Sequence, residues 1–298
     1  MKLLLLSAVA LGLHVIAAKA QLEIVCTTGM VGDLVQNISG ERGRVTTLMR
    51  EGIDPHLFKP TRDDVARLMK ADVIFLNGLQ LEGRMVETFK TLEKRGKTVT
   101  PVTAAIPSEK LLLEGNEPDP HVWMDPALWS YGIETVRETL TRLDPEGADY
   151  YKTNAQRYAA TLAGLSEKVR ELISSIPKEQ RVLVTAHDAF AYFTKTTGLE
   201  NVAIQGLNTE AEAGVGDINR IVDLIVNRRI PAVFAESSVS DRNIRAVIEG
   251  ASARGWNVKM GQTLYSDSLG PAGSPAGTVV GMIEQNTLAI SSALGGEK

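Results

Sequence analysis

The chain has 298 residues, with 32 basic and 36 acidic side chains and a formal net charge of −4 when histidine is neutral. This acidic balance, without any long basic run, argues against nucleic acid and anionic membrane surfaces as partners. The single cysteine, Cys26, excludes an internal disulfide, and because it lies in an apolar run we expect it to be buried. A chain of this length can bury a large core and would ordinarily divide into two lobes.

The N-terminus has the pattern of a secretory leader. Lys2 precedes an apolar stretch over residues 3–18, and Ala18-Lys19-Ala20 fits the small-x-small cleavage pattern. We therefore expect residues 1–20 to be a signal peptide that is cleaved, and the mature protein to be periplasmic or otherwise extracytoplasmic. The residues before Cys26 do not form a bacterial lipoprotein cleavage box. A retained membrane anchor is the alternative, although the apolar stretch is short for a span.

Short apolar, β-branched runs alternate with helical patterns along the rest of the chain, which is typical of α/β folds with mainly parallel sheets. The strands are predicted near residues 22–28, 45–49, 73–77 and 98–102 in the first half and 181–186, 203–205, 232–236 and 257–260 in the second. We expect an N-terminal lobe over residues 21–148 and a C-terminal lobe over residues 177–298. Each would have a mainly parallel four-stranded sheet flanked by helices.

The strongest helical signal lies between the two halves, at residues 149–176. Its apolar residues are spaced by alternating threes and fours, which places them on one stripe: Tyr151, Ala155, Tyr158, Leu162, Leu165, Val169, Leu172 and Ile176. Such a helix would be about 42 Å long at 1.5 Å per residue. We interpret it as one rigid helix that connects the lobes; an ordinary surface helix on one lobe is the alternative.

Only three histidines remain beyond the predicted leader: His56, His121 and His187. The first two each end an Asp-Pro-His tripeptide, in which the proline restricts the backbone next to the imidazole. His187 directly follows a predicted strand, and His56 lies a few residues beyond another. Ligands of open α/β sheets bind outside the carboxyl ends of strands, and imidazole is the commonest protein ligand for transition metals. The sequence therefore predicts a divalent metal site assembled from distant segments.

A closed metal site needs about four donors, and Asp267 is the best candidate for the fourth. It follows the last predicted strand in a loop of small residues, where an isolated aspartate would otherwise be interpreted as a turn residue. Glu236 and Asp125 are candidates for orienting the imidazoles from outside. A solvated loop acid is the alternative for Glu236, and for Asp125 we favour the N-cap of the helix that starts at Pro126.

Four segments together resemble the metal-binding solute-binding proteins of bacterial ABC importers, in their TroA-like zinc/manganese branch. The segments are Gly52-Ile53-Asp54-Pro55-His56, Asp119-Pro120-His121-Val122-Trp123, Thr185-Ala186-His187-Asp188-Ala189-Phe190 and Tyr265-Ser266-Asp267. The resemblance covers essentially the whole mature chain. It implies two lobes joined by one rigid helix, with a metal ion in the cleft. His56 and His121 of the first lobe and His187 and Asp267 of the second would be its ligands.

The function that the resemblance implies is an extracytoplasmic receptor, not an enzyme, that binds one divalent ion and delivers it to an ABC permease and its ATPase. We expect a monomer. The alternatives are a secreted zinc hydrolase and a surface adhesin, a label that some relatives carry. A hydrolase usually has three zinc ligands and an open position, and the chain lacks both the His-Glu-x-x-His and the Gly-x-Ser-x-Gly patterns.

The sequence leaves the metal open between zinc and manganese. Many manganese-associated relatives have Glu where this chain has His187, whereas dedicated zinc relatives often have a histidine-rich loop before the second ligand. Residues 107–119 contain no histidine here, so the chain departs from both patterns. Three imidazoles and one carboxylate suit zinc and are tolerated by manganese and iron.

Overall fold

The computed structural model describes residues 21–296, and the predicted signal peptide lies outside the described residues. The strands are β1 Leu22–Cys26, β2 Gly43–Thr47, β3 Val73–Leu76, β4 Thr98–Pro101, β5 Leu113–Glu114, β6 Glu117–Pro118, β7 Val182–His187, β8 Glu200–Gln205, β9 Ala232–Val233 and β10 Lys259–Met260. The α-helices are α1 Gly29–Ser39, α2 Arg62–Lys70, α3 Val86–Lys94, α4 Pro126–Trp129, α5 Tyr131–Leu143, α6 Ala148–Ser174, α7 Ala191–Thr197, α8 Val215–Arg228, α9 Arg242–Ala253 and α10 Val279–Ala293. Within residues 21–296, no helix is both long and apolar enough to cross a membrane.

The first half contains the predicted four-stranded parallel sheet, in the order β2-β1-β3-β4. Every residue of β3 is buried, because the helices of this half cover both faces of the sheet. Cys26 ends β1 as a fully buried free thiol, as its apolar surroundings predict. Since all four strands run in one direction, their carboxyl ends share one edge of the sheet.

The four predicted strands of the second half are also present, as two parallel pairs. β7 pairs with β8, and β9 pairs with β10. A single bridge between Thr185 and Phe234 joins the pairs, where the Phe234 amide donates to the Val184 carbonyl at 2.9 Å. The second half therefore has two two-stranded sheets joined by this bridge instead of the expected four-stranded sheet, because β9 and β10 have only two residues each.

An antiparallel hairpin that was not predicted, formed by β5 and β6, lies within residues 107–119, the segment that contains no histidine. Gly115 has a φ of 62° in its turn, a backbone conformation that glycine adopts without steric cost. The strands are too short, at two residues each, to show an alternating pattern in the sequence.

The predicted helix between the halves is α6, which has 27 residues and ends at Ser174 instead of Ile176. It contacts elements of both halves. The Asn154 side chain donates to the Ile38 carbonyl of α1 at 3.1 Å, and the Leu172 carbonyl accepts from the Ser291 hydroxyl of α10 at 3.3 Å. Its buried apolar residues belong to one core that includes side chains from both halves.

Asp33 of α1 also ties the halves together. Its Oδ2 accepts hydrogen bonds from the Tyr158 hydroxyl of α6 and from the Val279 amide at the start of α10, both at 3.1 Å. Burial raises the pKa of Asp33, although these hydrogen bonds act in the opposite direction. Three helices that are distant in the sequence thus meet at one carboxylate.

Candidate metal centre

The two Asp-Pro-His tripeptides form the same local turn. In each, the aspartate Oδ1 accepts a hydrogen bond from the amide of the histidine two residues later, at 2.8 Å for both Asp54–His56 and Asp119–His121. Aspartate side chains commonly form such turns with the backbone two residues on. The aspartate and the proline therefore fix the backbone from which each imidazole projects.

The second half supplies two more of the predicted residues. His187 is the last residue of β7, and its amide donates to Glu236 Oε1 at 3.0 Å just beyond the end of β9. Asp267 lies in the loop after Leu264, which forms a parallel bridge with Glu236. Both residues therefore lie where the strands of the second half end, and both are buried.

The structure brings all four predicted ligand residues together. One potential ligand atom from each of His56, His121, His187 and Asp267 lies within 4.8 Å of the others. The Nε2 atoms of His187, His121 and His56 lie 3.0, 3.4 and 3.7 Å from the nearest carboxylate oxygen of Asp267. All four side chains are at most 5% exposed.

These spacings fit a tetrahedral metal ion. With zinc–nitrogen bonds of about 2.0–2.1 Å, neighbouring ligand atoms should be about 3.3 Å apart. The three Nε2 atoms and both oxygens of Asp267 are buried without a hydrogen-bond partner. Buried polar atoms are normally paired, so their convergence without pairing favours a bound cation between them.

Burial and neighbouring carboxylates shift the pKa values of the imidazoles at this site in opposite directions. Burial lowers the pKa of His56 to about 4. Burial also disfavours the charged form of His121, but Asp119 and Asp267 raise its pKa to about 9. Burial likewise opposes ionisation of Asp267, yet the imidazoles of His187 and His121 hold the pKa of Asp267 well below its usual value. The carboxylate is therefore ionised in the metal-free site, and a metal ion that binds there has to displace the proton that His121 carries.

Two carboxylates contact the outer nitrogens of the imidazoles. Asp119 Oδ1 lies 2.8 Å from His121 Nδ1, and Glu236 Oε2 lies 2.6 Å from His187 Nδ1. Such contacts orient an imidazole and leave Nε2 free for a metal. The Glu236 contact agrees with the position that the sequence suggested, whereas sequence reasoning missed Asp119. The repeated Asp-Pro-His tripeptide was the sequence signal that could have identified Asp119. Asp125 is the N-cap of α4 and accepts from the Ala127 amide, as expected.

Residues of the first half hold the Asp267 loop on both sides. The Trp123 indole donates to the Ser266 carbonyl at 3.0 Å, and the Gly52 amide donates to the Ser268 hydroxyl at 3.1 Å. Trp123 is fully buried and its ring contacts the His121 ring edge-on, with centroids 5.3 Å apart. Asp267 therefore has a fixed position relative to the imidazoles of the other half.

A cavity of about 480 Å³ reaches the site from the surface between the two halves, and of the four predicted ligand residues His56 lies in its wall. Its charged lining residues are Arg84, Glu114, Glu117 and Glu210. Arg84 and Glu210 form an ion pair of 2.7 Å across the cavity. The excess of acidic side chains gives this opening a negative charge, which favours the approach of cations.

The sequence is similar to those of known metal-binding proteins. The model of the family described as zinc-uptake complex component A, periplasmic, matches residues 24–293. The chain is 41% identical to the manganese-binding lipoprotein MntA of Bacillus subtilis over 280 residues, 93% of this chain and 91% of that protein. It is 42% identical to the zinc-binding protein TroA of Treponema pallidum over 279 residues, 93% of this chain and 90% of that protein.

Solved structures show the same fold. The periplasmic zinc-binding protein TroA from Treponema pallidum superposes with a TM-score of 0.90 at 41% identity, covering 92% of this chain and 99% of that one. A manganese-bound periplasmic metal-binding protein from Candidatus Liberibacter asiaticus superposes with a TM-score of 0.79 at 27% identity, covering 92% and 100%.

Glu236→Gln should weaken zinc binding by about 10–100-fold, the usual effect of removing a carboxylate that orients a ligand imidazole. The glutamine side chain has only one oxygen, so either the backbone amide of His187 or the Nδ1 atom of His187 loses its contact with a carboxylate oxygen. Competition titration with a zinc chelator measures the affinity. Glu249→Gln, the same change on the exposed face of α9, is the control and should bind like the unaltered protein. Equal affinities for both variants would show that Glu236 does not orient His187.

Proposed function

Because the chain belongs to the family of the periplasmic component A of zinc-uptake complexes, we propose that it is an extracytoplasmic receptor for one divalent transition-metal ion, zinc or manganese. It delivers this ion to an ABC-type permease and its ATPase for uptake. The convergence of four buried donors within 4.8 Å of one another carries the proposal. The names of two relatives, a zinc-binding protein and a manganese-binding lipoprotein, support the same two metals.

In this proposal the ligands are Nε2 of His56, His121 and His187 and the carboxylate of Asp267. The set carries one negative charge when the imidazoles are neutral, so a bound divalent ion leaves one positive charge in a buried site. Asp119 and Glu236, in contact with the outer nitrogens of two imidazoles, offset that charge. Such an arrangement makes a dehydrated cation tolerable in the interior.

The donor set favours binding over catalysis. A catalytic zinc ion keeps a position open for water, whereas four protein donors complete a tetrahedral shell. Membership of a family of importer binding proteins points in the same direction. We therefore propose that the ion is cargo and that the protein carries out no reaction on it.

We further propose that residues 21–148 and 177–298 act as two lobes joined by the helix of residues 149–176, after cleavage of a signal peptide at residues 1–20. Hydrogen bonds from α6 to both α1 and α10 support a rigid connection. Asp33, which bonds to α6 and to the start of α10, supports it too. All four proposed ligands come from one chain, which is consistent with a monomer.

Protein stripped with a chelator and reloaded with zinc should contain one ion per chain by elemental analysis. The double variant His56→Ala/His121→Ala should contain almost none after the same treatment, because it loses two of four donors. Circular dichroism of the metal-free proteins is the control that the variant is folded. A stoichiometry near zero for the unaltered protein, or an unchanged one for a folded double variant, would contradict the proposed function.

His187→Glu should lower the ratio of zinc affinity to manganese affinity. Carboxylate is a harder donor than imidazole, so the change favours manganese relative to zinc. His187→Gln is the control, since it removes the imidazole without adding charge. Both affinities must be measured at one pH because ligand deprotonation makes each pH-dependent. If the ratio in His187→Glu stays the same or rises, His187 does not set the selectivity.

A further inference from the structure

The loop that follows β3 has an unusual backbone. Gly78, Leu79 and Gln80 have φ values of 89°, 51° and 63°, three consecutive residues in the left-handed region. Residues other than glycine rarely adopt this backbone conformation, and they keep it only where the surrounding structure imposes it. Leu79 and Gln80 also line the cavity that leads to the candidate metal centre. The loop therefore needs a strong local constraint.

Glu82 supplies that constraint from a buried position. Its Oε1 accepts hydrogen bonds from the Thr27 hydroxyl at 2.6 Å and the Asn77 amide at 2.7 Å. Its Oε2 accepts from the Gly78 amide at 3.3 Å. The side chain is 2% exposed, and no basic side chain among residues 21–296 forms an ion pair with it. Burial raises the pKa of the Glu82 carboxyl, and the hydrogen bonds from Thr27, Asn77 and Gly78 act in the opposite direction and compensate the buried group.

Asn77 connects this carboxylate to the metal centre. Its backbone amide donates to Glu82, while its side-chain amide donates to the Pro120 carbonyl at 3.0 Å. Pro120 directly precedes His121, and its carbonyl belongs to the peptide group that carries the His121 amide. Asn77 is fully buried, so no solvent competes for this hydrogen bond. A continuous path of hydrogen bonds thus runs from Glu82 through Asn77 to the backbone of a proposed ligand.

From this path we propose that Glu82 is a positioning residue for the metal centre. Its carboxylate fastens the loop of residues 77–80 to the end of β1, and the Asn77 side chain then holds the Pro120 carbonyl and with it His121. Glu82 contacts no proposed ligand directly and acts only through this path. The inference rests on the proposed function, in which His121 binds the ion.

Glu82→Gln tests the inference with little change in shape. The amide has one oxygen and places an NH₂ group against one of the donors, so the loop loses at least one of its hydrogen bonds. We expect zinc affinity to fall about tenfold, at the lower end of the effect of altering groups that orient ligands. The visible spectrum of the cobalt-loaded protein should change as well, because it depends on ligand geometry. Glu93→Gln, the same change at an exposed position of α3, should alter neither.

A double-mutant cycle separates positioning from a general loss of stability. Asn77→Asp replaces the NH₂ group that faces the Pro120 carbonyl with an oxygen and should weaken zinc binding too. If both residues act through this one hydrogen bond, Glu82→Gln should cause little further loss in the Asn77→Asp background. A full additional tenfold loss there would overturn the proposed path. A folded Glu82→Gln variant with unaltered affinity and cobalt spectrum would overturn the role of Glu82 itself.

Thr27→Val provides a second test should Glu82→Gln fail to fold. It removes a single hydroxyl that donates to Glu82 and keeps the shape of the side chain. The expected result is a smaller loss of zinc affinity with a changed cobalt spectrum, and unaltered binding would overturn the inference. Failure of the unaltered protein to bind zinc or manganese would instead refute the proposed function, on which the inference depends.

Discussion

Three imidazole nitrogens and one carboxylate turn toward one another in the interior without forming hydrogen bonds, and the rest of the site depends on this arrangement. Left alone, such buried polar atoms would destabilise the fold. A divalent cation between these atoms would remove the destabilisation and add metal–ligand bonds that the unfolded chain lacks. Metal binding would therefore stabilise the folded state. Because the four residues come from segments between residues 56 and 267, an ion bound by them would also link the two halves.

The surroundings of the site keep its donors in place. The turns of the two Asp-Pro-His tripeptides each fix the backbone of one histidine. Asp119 and Glu236 contact the rings of His121 and His187. Trp123 holds the Asp267 loop from the opposite half. Most of these contacts involve groups that touch no metal, which is how a protein can present preorganised ligands to an ion that arrives and leaves.

The sequence predicted much of this structure because the relevant signals are local. Alternating strand and helix patterns located eight of the ten strands in residues 21–296, and the apolar stripe located α6 to within two residues at each end. The scarcity of histidine and the repeated tripeptide identified the imidazoles. Groups that act across long sequence separations had no such signal. Nothing in its neighbourhood marks Glu82 as an acceptor for Thr27, 55 residues away, and the short β5–β6 hairpin has no alternation.

X-ray absorption spectroscopy at the zinc edge of the loaded protein tests the central claim most directly, because it reports the donors around the ion itself. We expect a shell of four light atoms with zinc–ligand distances of about 2.0–2.2 Å and the multiple-scattering features of three imidazoles. A six-oxygen shell, a sulfur donor or fewer than three imidazoles would contradict it.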